Sequence, residues 1–156
     1  MTQTQSLALK VATVLWIVWG LVHAVAGVIV ISSDATGGFQ GIADAVDPEL
    51  LMAAYHPAVG GILNQHGWNL LWGGLITMIG AVFIWRHSMT AIWVTAMIGG
   101  LLDIGYLVFV DIPGYVNFLP GTLMTVVSGT AVLLSFWVWI PVGRMIGRRN
   151  TSSVRE

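Results

Sequence analysis

Four apolar runs divide the chain, at residues 11–31, 67–85, 90–110 and 120–142, and polar residues gather in the gaps between them. Each run approaches the roughly 20 residues that an α-helix needs to cross a hydrocarbon core of about 30 Å. None shows the two-residue alternation of a barrel strand, and backbone groups cannot stay unpaired in lipid. The pattern predicts an all-α fold, an integral membrane four-helix bundle that forms one domain over residues 1–156.

Composition agrees. Of 156 residues, 56% are hydrophobic and 8% charged, against roughly 25% charged in soluble domains. A net charge of −1 with no basic run removes nucleic acid from the partners to consider. There is no cysteine, so disulfides and thiol chemistry are absent. The stretch "HAVAG" (23–27) offers a small-residue cleavage pattern, but its apolar run is longer than a signal h-region and only Lys10 charges its approach. The first run therefore reads as a retained span.

Charge sets the expected orientation. Lys10, Arg86, Arg144, Arg148, Arg149 and Arg155 all fall on one side of the four spans, whereas Asp34, Asp44, Asp47, Glu49 and Asp111 fall on the other. Basic loops stay in the cytoplasm, so both termini are expected inside, an N-in/C-in arrangement in a cytoplasmic (inner) membrane. Trp85, Trp93, Trp137 and Trp139 would lie at the inner interface, with Trp68, Tyr115 and Phe118 at the outer one, as aromatic belts do.

The outer loop, residues 32–66, is too long for a bare connection. In "VDPELLMAAYHP" Asp47 suits an N-cap, Pro48 the first helical position and Glu49 the first turn, which predicts a short cap helix over about 48–55. The preceding "SSDATGGFQG" reads as a mobile Gly/Ser-rich segment, and "AVGGILNQHGW" as an interfacial stretch. The polar tail, residues 143–156, is expected to fray.

Within the spans, positions three, four and seven apart share a helix face. Span one offers Gly20, His23 and Gly27; span two His66, Asn69, Gly73, Thr77 and Gly80; span three Gly99, Asp103 and Tyr106; span four Gly121, Thr125 and Ser128. Small stripes of this kind let membrane helices approach closely and bond across the contact. That account suffices for the glycines and hydroxyls. It is weaker for Asp103, because a carboxylate at membrane depth costs at least about 2.5 kcal/mol. His23 lies eight residues inside Ile31 and Asp103 eight inside Asp111, so both sit roughly 12 Å below the outer surface.

The spacing thus points to an Asp103–His23 pair inside the bundle. It is either an ion pair or a neutral acid bonded to a neutral imidazole, and either a structural contact or an acid–base couple. Around it the reading places a polar pocket in the outer half, walled by Asn69, Tyr106 and Thr125 and lidded by a loop carrying Glu49, His56 and His66. These histidines and carboxylates have metal-ligand chemistry, but their spacing matches no metal motif such as HExxH. His66 is too shallow to pair with His23 on a haem. No nucleophile elbow or phosphate-cradling loop is present. The cofactor, if any, is unknown from sequence.

Length, the four-span layout, "WGLVHAVAG" (19–27) and the Gly-rich "GWNLLWGGL" (67–75) resemble the broad group of small DoxX-like bacterial membrane proteins. That group includes quinone-linked oxidoreductase subunits, so the resemblance implies a four-span fold and membership of a larger membrane complex. The long outer loop and Asp103 depart from its pattern. The leading expectation is binding of a small lipophilic or amphiphilic molecule, quinone-like or lipid-like, in the outer pocket. The alternatives are an intramembrane isomerase or cyclase using Asp103 and His23, and a small proton-coupled transporter. Expected partners are membrane lipid, the lipophilic molecule, and a second copy or a larger complex.

Overall fold

The structure is a computed structural model that describes residues 1–42 and 46–152, with side chains through residue 140. Asp44, Arg155 and the side chains of Arg144, Arg148 and Arg149 lie outside the described residues. Every regular element is helical, and four helices are long and apolar enough to cross a membrane.

Helix α1 (Gln3–Ile31) begins eight residues before its apolar run. A capping box starts it: the Thr2 hydroxyl accepts from the Gln5 N–H at 3.2 Å, and the Gln5 side chain accepts from the Thr2 N–H at 2.8 Å. Its Leu9, Trp16 and Trp19 are fully buried, while Leu7, Val14, Leu21 and Val25 on its other side are exposed.

The segment over residues 32–56 is more ordered than its composition implies. Helix α2 (Ala35–Ile42) forms where a mobile Gly/Ser stretch was expected. The Asp34 side chain accepts from the Gly37 N–H at 2.8 Å, and Gly38 sits on Leu63 with little space for a Cβ. Packing therefore overrides the poor helix propensity of three glycines. Helix α3 (Pro48–Leu51) starts at the Asp47 cap as the sequence indicates but stops at Met52 instead of continuing to about residue 55. Its carboxyl end is held from outside, since Tyr55 and Thr36 both donate to the Leu51 carbonyl, at 2.9 and 3.3 Å.

Helix α4 (Pro57–Trp85) begins ten residues before the predicted second span, so "AVGGILNQH" is helix and not a separate interfacial stretch. Pro57 occupies the first turn, and His56 Nδ1 accepts from the Ala58 N–H at 3.2 Å, a cap that the apolar pattern does not reveal. Helix α5 (Met89–Asp111) opens at a Ser88 cap and carries two π-helical turns, Ala96–Gly100 and Leu107–Asp111. The α-helical Leu101–Tyr106 between them holds Asp103. A further π turn, Phe118–Thr122, leads into helix α6 (Leu123–Ser152). The tail expected to fray is helical through Ser152, as a continuation of that long helix.

Lys10 lies over the Trp85 ring at 5.4 Å, which puts the first and second basic positions at one end of the bundle. Between α1 and α4 the backbones nearly touch. A Cβ on Gly20 would stand 2.6 Å from the Gly74 carbonyl oxygen, and one on Gly27 2.5 Å from that of Gly67. Helix α1 also packs on α6, whereas α5 leans on α4 and meets α6 only at intervals. At the Lys10 end α5 meets α6 through Trp93, which packs edge-on against Phe136 and Trp139, with centroids 4.8 and 5.3 Å away.

Candidate functional site

Asp103 is buried, 4% exposed, at the meeting of α1, α5 and α6. Its carboxylate is held from two helices. The Trp19 indole N–H donates to Oδ1 at 3.1 Å, and the Ser128 hydroxyl donates to Oδ2. Ser128 also reaches the Thr125 carbonyl at 3.1 Å. An indole has one donor and no acceptor, so a buried Trp19 needs a fixed acceptor nearby, and Asp103 supplies it.

His23 stands one turn beyond Trp19, and the two rings stack with centroids 3.7 Å apart and planes 21° from parallel. Its Nδ1 lies 2.8 Å from the Trp19 carbonyl oxygen. A carbonyl can only accept, so Nδ1 is the protonated nitrogen. That leaves Nε2 facing Asp103 Oδ1 at 3.9 Å, within ion-pair range and beyond direct hydrogen bonding. The Asp103–His23 juxtaposition inferred from depth counting is present in the fold.

Two cavities meet at this carboxylate. The smaller one, about 90 Å³, is bordered by His23, His66, Asp103 and Tyr106, with Gly41 and Ile42 of α2 over it. It has room for a few water-sized groups or a small headgroup. The other is an apolar groove of about 530 Å³ between α5 and α6, with Asp103, Thr125 and Ser128 along its wall and Trp93 and Phe136 near its far end. The Thr125 hydroxyl is buried without a hydrogen-bond partner among the described residues.

The proposed pocket therefore assembles only in part. His23, Asp103, Tyr106 and His66 come together. Asn69 does not join them, because its side-chain oxygen accepts from the Trp72 indole at 3.1 Å. Thr125 lies in the groove, on the opposite side of Asp103 from His23's cavity. Glu49 and His56 are exposed and do not form the lid, His56 being engaged as a helix cap. The cover comes from α2, which a Gly-rich sequence concealed. Trp19 was missed as a partner, although its place one turn from His23, on the same helix face, was a usable signal. Ser128 was read only as helix glue, yet it holds one oxygen of the acid.

Among the described residues, no three His, Asp or Glu side chains converge as a metal set. No family model matches the chain, and neither the curated proteins nor the solved structures yield a match.

Proposed function

We propose that this membrane protein binds a small amphiphilic molecule whose polar end rests at Asp103. One observation carries the reading: a buried carboxylate, positioned by Trp19 and Ser128, with a cavity on each side. Helix glue would need the bonds but not the two spaces. The DoxX-like sequence pattern points the same way, towards lipophilic ligands handled within the bilayer. In this reading both termini face the cytoplasm of a bacterial inner membrane, and the Lys10 and Arg86 end of the bundle is its inner end.

A second reading rests on the His23 tautomer. With Nδ1 committed to a carbonyl, Nε2 and the Asp103 carboxyl lie 3.9 Å apart, close enough for both to reach one substrate atom beside them. Such a couple can take a proton from one carbon and return it to another, as a double-bond isomerase or cyclase requires.

Native mass spectrometry of the detergent-purified protein tests the first reading. The expected result is a co-purifying amphiphile that is lost from Asp103→Leu and weakened in Asp103→Asn. A wild-type protein that carries no such adduct, and acquires none from added membrane extract, would overturn it. Turnover of a polyunsaturated lipid that stops in both His23→Phe and Asp103→Asn would favour the enzyme.

A further inference from the structure

Around His23 and Asp103 the hydrogens can be counted. Nδ1 of His23 gives its proton to the Trp19 carbonyl at 2.8 Å, so Nε2 carries a lone pair. Asp103 Oδ1 takes one hydrogen, from the Trp19 indole at 3.1 Å, and a carboxylate oxygen has a second lone pair to offer. Oδ2 is engaged by Ser128. Trp19 thus orients both partners, one through its ring and one through its backbone. The result is two acceptors 3.9 Å apart on the border of the smaller cavity, with no donor from the described residues between them.

One atom about 2.9 Å from each acceptor bridges such a spacing, provided that it carries two hydrogens. A hydroxyl has one and a carbonyl none, whereas a primary ammonium has three. A proton placed on Nε2 itself would aim at an oxygen 3.9 Å away, beyond direct bonding. Charge narrows the choice further. The cavity lining contains the Asp103 carboxylate and no Lys or Arg, and a buried carboxylate without a counter-charge attracts a cation. Asp34 adjoins α2, Asp47 and Glu49 start α3 and Asp111 ends α5, all towards this end of the bundle, while Lys10 and Arg86 stand at the far ends of α1 and α4. Acidic surroundings of this kind raise the local concentration of cations. The volume of about 90 Å³ has room for an aminomethyl group.

We infer that the smaller cavity receives a protonated primary amine, its nitrogen bridging Asp103 Oδ1 and His23 Nε2 beneath α2. This rests on the amphiphile reading above and adds which of the two spaces holds the polar end and what that end is. Each other head lacks a requirement. A hydroxyl serves one acceptor and brings no charge. A trimethylammonium brings the charge without an N–H. A phosphate or carboxylate adds a second negative charge beside Asp103. Water has the two hydrogens but leaves the carboxylate uncompensated. In this arrangement His23 acts as a neutral acceptor, which explains why its other nitrogen is tied to a carbonyl.

The test uses the full chain in phosphatidylcholine nanodiscs at neutral pH, with decylamine, decyltrimethylammonium and decanol as probes of identical tail and methylamine as the amine without one. Saturable decylamine binding is expected, with the other two decyl probes at least about tenfold weaker. Asp103→Asn, which keeps an oxygen for Trp19, and His23→Phe should each weaken decylamine about tenfold and narrow its lead over decanol. Ile42→Trp fills the cavity from α2 and leaves the Asp103 bonds in place, so it should weaken decylamine as well. Ile79→Trp puts the same bulk on an exposed face of α4 that lines neither cavity and should leave binding unaltered. Decanol or the trimethyl probe binding as tightly as decylamine overturns the inference, and so does decylamine binding that survives both Asp103→Asn and Ile42→Trp. Methylamine that matches decylamine upholds the amine site and removes the amphiphile reading. If no probe saturates, the inference fails, while the amphiphile reading stands or falls with the adduct that the purified protein carries.

Discussion

Glycine is used in two opposite ways on two sides of this bundle. Along the α1–α4 seam, Gly20, Gly27, Gly67 and Gly74 lack a side chain so that one backbone can lie against another. Along the α5–α6 groove no backbone comes near: a Cβ on Gly100 would touch only the Val132 side chain at 3.6 Å, and one on Gly129 nothing within 4 Å. A stripe of small residues thus has no single meaning in a membrane helix. What matters is whether another backbone takes the place of the missing Cβ.

The sharpest way to break this contrast is to put equal bulk on each side. Gly74→Leu drives a side chain into the Gly20 carbonyl and the Ala24 backbone, and such overpacking costs about 1–3 kcal/mol or more. Thermal unfolding in detergent should show a large loss, with much of the protein failing to assemble. Gly129→Leu should show almost none. Equal losses would erase the distinction.

Next in size is the acid where the two regions meet. Asp103→Leu strands the buried Trp19 N–H, whereas Ser128 keeps the Thr125 carbonyl as an alternative acceptor. The expected loss is about 1–3 kcal/mol for one unsatisfied buried donor, measured by chemical unfolding. Asp103→Asn, which retains an acceptor oxygen, should lose less. If both variants lose the same, the acid is not what Trp19 depends on.

Smaller and opposite in sign is Thr125→Val. It removes a buried hydroxyl that has no partner, so the ligand-free protein should gain up to about 1 kcal/mol. The smallest effect belongs to Gly129→Ala, where a methyl enters open space. A change of no more than about 1 kcal/mol, as a gain in helix propensity, should appear in the same unfolding measurement.

Much of the architecture was legible because hydropathy and length act over whole spans. The four long apolar helices, the Asp47 and Pro48 start of α3 and the meeting of His23 with Asp103 follow from counting residues. The early start of α4 was not, since it depends on a histidine acting as a cap. Nor was α2, whose three glycines read as loop until Leu63 packs against Gly38. That one omission misplaced the lid, which moved from Glu49 and His56 to Ile42. The π turns on either side of the Leu101–Tyr106 segment have no residue signature at all. Such turns recur at functional sites, and here they flank the turn that presents the acid.

The order of the helices along the chain has a consequence for biogenesis. Helix α1 is made before α5 and α6, so Trp19 gains its acceptor only once α5 follows, and Asp103 its second donor only with α6. The polar cluster therefore acts as a latch that α6 closes. Chains stalled between α5 and α6 should carry an incompletely bonded acid, a mark by which membrane proteases can distinguish unfinished copies from finished ones.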